Sequence, residues 1–219
     1  MEFVGGGDLM YQIQRHRFSE EQARFFAAQV LLALEYLHAR DIIYRDLKLD
    51  NILLGLDGYI KLADYGLCKG EMTAASVTQT FCGTPEFMAP EILQDLPYTR
   101  AVDWWAFGVL VYELLFAHAP FQGRTEQAVF RAILSGRLAF PPDARSSAKD
   151  LIRRVCRPAS SPRLRLIRCV HGDSSSLGIL GPDSAARGAR QRLKSTHSSE
   201  VSILVGWRPK KLIHPLNPH

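Results

Sequence analysis

The sequence predicts a mainly helical fold of the α+β class with one small β-hairpin. Three observations predict it. A capped helical pattern runs on from Ser19, an almost wholly apolar helix covers 99–117, and only two short β-prone runs occur, one on each side of Gly58. With 47% hydrophobic and 22% charged residues, the 219-residue chain has a globular composition, which excludes a wholly disordered one.

The elements follow in order. Ser19 and Gln22 have capping-box spacing. Ala23, Phe26, Val30, Leu34 and Leu37 then recur at three- and four-residue steps, marking one buried helix face. In LGLDGYIKLADYG, Gly58 stands where a hairpin turn requires it. Residues 99–117 are almost wholly apolar, so this helix is expected to be buried. Thr125 to Leu134 reads as a further helix, bounded by Pro120 and Gly136. Gly5–Gly7 lack the strand context of a phosphate loop and read as a flexible step.

The apolar run Trp104 to Phe116 contains Glu113 and is shorter than the roughly 20 residues a membrane span needs, so no transmembrane segment is expected. MEFVGGGDLM has no basic region followed by an apolar one, so no secretory signal is expected. Cys68, Cys82, Cys156 and Cys169 form no CxxC pair; they predict free thiols and a reducing, cytoplasmic setting.

Charge divides the chain. Residues 153–219 hold 13 Lys and Arg against 3 Asp and Glu, leaving 14 against 19 for residues 1–152. The texture changes near Val155, where Pro158, Ser160, Ser161 and Pro162 interrupt any helical period. The expected organisation is a folded unit over 1–157 and a basic Ser/Pro/Arg-rich, poorly ordered extension over 158–219. That extension carries no nucleic-acid motif, and nucleic acid is not an expected partner.

The chemistry concentrates in YRDLKLDN, Tyr44 to Asn51, a loop between the long helix and the hairpin. Asp46, Lys48 and Asn51 place an acid, a cation and an amide within six residues, and Asp64 follows in DYG. The spacing fits phosphoryl transfer, in which hard oxygen ligands hold Mg²⁺ and a carboxylate faces the attacking hydroxyl.

With TFCGTPEFMAPE (Thr80 to Glu91) and VDWWAFGVLVYELL (Val102 to Leu115), these motifs resemble the C-terminal lobe of a eukaryotic protein kinase. They are most similar to the AGC serine/threonine group and its protein kinase C and protein kinase N branch. MEFVGGGDLMYQIQ resembles that branch's hinge and following helix. The resemblance implies ATP and Mg²⁺ as cofactors. By it, Asp46 would accept or orient the substrate hydroxyl proton, and Lys48 would neutralise the transferred phosphoryl group. Asn51 and Asp64 would hold the metal. Glu2 and Val4 would meet adenine, with Leu53 beneath the ring, and Asp8 would reach the ribose or a basic substrate residue. Asp50 and Glu113 would read substrate arginines, or are ordinary solvated acids. Thr84 would favour Ser/Thr acceptors. Thr80 would be an activation-loop phosphosite served by an upstream kinase and paired with Arg45 and Lys69. Asp103 would brace the catalytic loop, and Glu91 would pair with an arginine for which Arg163 is the candidate.

The implied activity is ATP-dependent phosphorylation of protein Ser/Thr in basic context. The chain carries no glycine-rich loop and no strand lysine paired with a helix glutamate. The expectation is therefore a fragment without the N-terminal lobe and inactive alone. The alternative is a catalytically dead, pseudokinase-like binding module.

Overall fold

The computed structural model describes residues 3–157. Glu2, Arg163 and the expected extension over 158–219 lie outside the described residues.

The fold is mostly helical with one two-stranded antiparallel sheet. Helix α1 (Leu9–Arg15) starts at Asp8, whose side chain accepts the Tyr11 N–H at 2.6 Å. Helix α2 (Glu20–His38) starts with the expected capping box: Ser19 accepts from Gln22 N at 3.2 Å, and the Gln22 amide accepts from Ser19 N at 2.9 Å. Glu20 and Glu21 occupy its first turn, where the helix dipole favours negative charge. The predicted face of Ala23, Phe26, Val30, Leu34 and Leu37 is buried.

Strands β1 (Ile52–Leu54) and β2 (Ile60–Leu62) pair in register Ile52 with Leu62 and Leu54 with Ile60. Gly58 turns the hairpin at φ +83°, a conformation that favours glycine. Against β1 lies the Gly5–Gly7 step. Gly6 N–H donates to the Leu54 carbonyl at 2.9 Å, and Leu54 N–H donates to the Gly7 carbonyl at 2.7 Å. A Cβ on Gly6 would stand 2.2 Å from the Leu54 oxygen, so the segment read as flexible from sequence is a close-packed strap.

After the short α3 (Pro90–Leu93), helix α4 (Ala101–Phe116) forms the core and is buried on nearly every side. It packs on α2 and on α6 (Ser146–Val155), a helix with no counterpart in the sequence reading. The α4–α6 approach depends on Gly108, where a Cβ would sit 2.5 Å from Cys156 Sγ. Trp105 stacks on Phe121 with centroids 5.5 Å apart, closing the core below. The helix ends at Ala117, in the left-handed conformation at φ +61°. Helix α5 (Glu126–Ser135) is capped by Thr125 and stopped by Gly136. Among the described residues no helix is long and apolar enough to cross a membrane.

Candidate catalytic site

The loop from Tyr44 to Asn51 is suspended from α4. Asp103, 1% exposed, accepts three hydrogen bonds: from His38 Nε2 at 2.7 Å and Tyr44 N–H at 2.9 Å on Oδ2, and from Arg45 N–H at 2.9 Å on Oδ1. A buried carboxylate needs such partners. Here they set the backbone immediately before Asp46. Arg45 itself holds φ +69°, a strained value for a non-glycine residue. Its two-sided anchorage maintains it, because the guanidinium Nε also donates to the Leu67 carbonyl at 2.7 Å.

Asp46 is buried, and each of its carboxylate oxygens has a donor. Thr84 Oγ1 donates to Oδ1 at 2.7 Å, and Asn51 Nδ2 donates to Oδ2 at 2.9 Å. Lys48 Nζ stands 3.3 Å from Oδ2 and donates to Thr84 Oγ1 at 3.0 Å. Four side chains from two distant segments thus form one network that holds the carboxylate in a single orientation.

Asp64 is exposed and sits just past β2 at φ +51°, its Oδ1 accepting from Gly66 N–H at 3.1 Å. Its neighbour Ala63 ties it to the loop: Ala63 N–H donates to the Asn51 carbonyl at 2.9 Å, and the Tyr44 hydroxyl donates to the Ala63 carbonyl. Burial pushes the Tyr44 hydroxyl pKa up, and the charges of Cys68, Tyr65, Asp46 and Asp64 add to that. The Cys68 thiol is pushed up to about 12, chiefly by burial, and so stays protonated and poorly nucleophilic.

The other residues singled out from the sequence fall around this centre. Leu53 is half-buried on β1 and bridges to Asp8. One Asp8 oxygen is taken by the α1 cap, an alternative use that the sequence reading did not weigh. Val4 is half-buried in the strap. Lys69 donates to Thr78 Oγ1 at 2.9 Å, two residues before the exposed Thr80. Arg45 reaches the Thr80 segment through Tyr98, whose hydroxyl lies 3.5 Å from Arg45 Nη1 and donates to the Thr80 carbonyl at 2.7 Å. Glu91 is buried on α3.

Glu113, on α4, is 8% exposed, and among the described residues its Oε2 has no hydrogen-bond partner. Its carboxyl is pushed up to about 7, first by burial and then by the nearby charges of Asp50 and Glu86. Asp50 and Glu86 are thus the acids whose charge bears on Glu113. Sequence reasoning passed over Glu86, as it did Tyr98 and His38. An acid two residues after Thr84 was the available signal for the first; long-range contacts define the other two.

The fit for magnesium rests on the donor set. Asn51 spends its amide nitrogen on Asp46, which leaves its carbonyl oxygen for a hard cation, and Asp64 offers an exposed carboxylate. Mg²⁺ takes one or two such ligands plus substrate phosphates, so these residues suit it.

A buried acid held by an amide and a threonine, a lysine beside it and a second acid beyond a hairpin are groups of the kind that phosphoryl transfer uses. The comparisons with known proteins specify it further. The protein kinase domain model matches residues 1–173, a span that runs past the expected boundary at 157. The chain is 54% identical over 166 residues to protein kinase C of Aspergillus fumigatus, covering 76% of this chain and 15% of that protein. It is 60% identical over 143 residues to protein kinase C-like 1 of Saccharomyces cerevisiae, covering 65% and 12%. It is 50% identical over 167 residues to the protein kinase C eta type of Mus musculus, covering 76% and 24%. The chain belongs to the protein kinase family. It spans less than a quarter of the length of these relatives.

Proposed function

We propose that this chain supplies the catalytic half of a serine/threonine protein kinase that acts on acceptors in basic sequence context. The observation that carries this reading is the Asp46–Asn51–Thr84–Lys48 network with Asp64 at its edge. Asp46 receives or orients the proton of the acceptor hydroxyl as that oxygen bonds to the γ-phosphorus of ATP and ADP departs. Lys48 faces the charge on the transferred group. Thr84 fixes Asp46 and lies where the acceptor chain enters. Asn51 Oδ1 and Asp64 would hold the Mg²⁺, which would neutralise phosphate charge. Val4, Leu53 and Asp8 line the nucleotide side. A phosphate on Thr80 adds about −1.5 to −2 charges. Arg45, already linked to that segment through Tyr98, and Lys69 are the cations to receive it. The free thiols Cys68, Cys82 and Cys156 suit a reducing, intracellular setting.

The reading includes inactivity of residues 1–219 by themselves, because the sequence has no glycine-rich loop to cover the phosphates. The test measures phosphate transfer from Mg·ATP to an arginine-containing serine peptide. The chain alone should give none; joined to the small lobe of a protein kinase C relative, it should give transfer that Asp64→Ala removes. A folded, lobe-completed chain that transfers nothing would favour a binding module instead.

Substrate arginine recognition falls to Glu113, Asp50 and Glu86. An unpartnered buried carboxyl is poorly solvated, so a guanidinium that binds it satisfies both groups. This has a stability signature. An unfolded glutamate releases its proton near 4.5, whereas folded Glu113 holds it up to about 7. Between those values the native state binds more protons, so stability falls as pH rises through the window and then levels off. Glu113→Gln should therefore gain stability that is absent below pH 4 and grows to about 2–3 kcal/mol at pH 8. Urea unfolding across pH checks it, and a pH-independent difference would contradict it.

A further inference from the structure

Tyr98 touches both cations that the proposed function sets beside Thr80, one directly and one through Thr78. Its backbone forms an antiparallel bridge with Thr78: Thr78 N–H donates to the Tyr98 carbonyl at 2.9 Å, and Tyr98 N–H donates to the Thr78 carbonyl at 2.8 Å. The Thr78 hydroxyl in turn accepts from Lys69 Nζ at 2.9 Å. The Tyr98 hydroxyl donates to the Thr80 carbonyl at 2.7 Å and accepts from Arg45 Nη1 at 3.5 Å. Tyr98 and Thr78 are buried, whereas Thr80 is exposed. Burial raises the phenol's pKa, so it keeps its proton and stays a donor at neutral pH. None of these bonds uses the Thr80 side chain. They run through its carbonyl, and so they do not depend on what the Thr80 hydroxyl carries.

We propose that Tyr98 is a positioning residue that holds the Thr80 turn to Arg45 while Thr80 is unmodified, and so keeps the loop carrying Asp46 set before any phosphate arrives. This rests on the kinase reading of the site. Arg45 immediately precedes Asp46 and keeps its φ of +69° only because its surroundings hold it there. Asp103 grips its backbone N–H and the Leu67 carbonyl takes its Nε; the phenol is the grip on the far end of the guanidinium. A phosphate on Thr80 would meet Arg45 and Lys69 in charge-assisted bonds, which are stronger than a bond to a neutral phenol. The Tyr98 hydroxyl therefore matters most when Thr80 carries no phosphate.

The test replaces Tyr98 with phenylalanine, which keeps the buried ring and removes the hydroxyl, in chains with threonine or phosphothreonine at position 80. In the lobe-completed chain kcat should fall about five- to tenfold with Thr80 unmodified and less than about twofold with Thr80 phosphorylated, one hydrogen bond being lost that the phosphate replaces. Peptide KM should stay the same in both. Equal losses in the two forms, as a merely structural role would give, or no loss in either, would overturn the proposal. Hydrogen exchange on the full chain without nucleotide reads the same link independently of activity. The Thr78 and Arg45 amides should exchange several-fold faster in Tyr98→Phe, and an unchanged Arg45 amide would overturn the proposal. If the unaltered completed chain transfers nothing, the kinase reading fails, and the exchange at Arg45 alone decides whether Tyr98 holds it.

Discussion

Replacing Asp46 with asparagine lowers phosphate transfer by the lobe-completed chain about 10²–10⁴-fold, read at temperatures where the variant stays folded. The size follows from what is removed. Asp46 is the one carboxylate held between the Thr84 hydroxyl at 2.7 Å and the Asn51 amide at 2.9 Å, with Lys48 at 3.3 Å. The amide variant keeps the shape but cannot take a proton. It also turns an NH₂ group toward a neighbouring donor on one side. The deficit should appear in kcat with peptide KM nearly unchanged, because in the proposed reaction Asp46 acts on the reacting hydroxyl rather than on remote parts of the peptide. Steady-state kinetics on the two proteins check this. A loss confined to KM would assign Asp46 to binding alone.

The second large effect belongs to Asp103. Its two oxygens accept from His38 Nε2, Tyr44 N–H and Arg45 N–H, at a position almost sealed from water. Asp103→Asn sets an amide NH₂ against donors and leaves at least one of them unsatisfied. Removing one side of a buried charged network costs about 3–5 kcal/mol. Chemical denaturation of the isolated chain should show that loss. The Arg45 conformation at φ +69° depends on the same carboxylate, so the loop carrying Asp46 should shift too. Transfer by the lobe-completed variant should then fall even at temperatures where it stays folded. Native-like stability in Asp103→Asn would contradict the bracing role.

Much of the architecture is legible in local patterns. Ser19 and Gln22 announce α2 because a capping box uses only neighbouring atoms. The apolar run predicted over 99–117 becomes α4 at Ala101–Phe116, one or two residues shorter at each end. Thr99 takes a turn position there, its hydroxyl accepting from Ala101 N–H, and Ala117 turns left-handed. Gly58 is legible because its positive φ is a local demand. Helix α6 escaped notice: its buried positions Ala148, Leu151, Ile152 and Val155 recur at helical spacing, but the charged run around them and the nearby change of texture obscured it.

The catalytic loop is legible as a motif because three unlike polar groups in six residues seldom serve packing. What joins them is not. The Thr84 contact with Asp46 spans 38 positions and the His38 contact with Asp103 spans 65. Nothing in the local sequence marks Tyr98 as the link between Arg45 and the Thr80 carbonyl. Asp8 shows the opposite difficulty. A nucleotide-side acid and a helix cap look alike in sequence, and here one carboxylate oxygen serves the cap.

The central claim is that Asn51 and Asp64 share one Mg·nucleotide beside Asp46. It is tested most directly by paramagnetic broadening of amide resonances when Mn²⁺·ATP is added to the isotope-labelled, lobe-completed chain. Broadening is expected centred on Asn51, Asp64 and their neighbours together, lost from both in Asp64→Ala. Broadening scattered over exposed acids such as Asp57 and Asp95, and unchanged by that substitution, would contradict it.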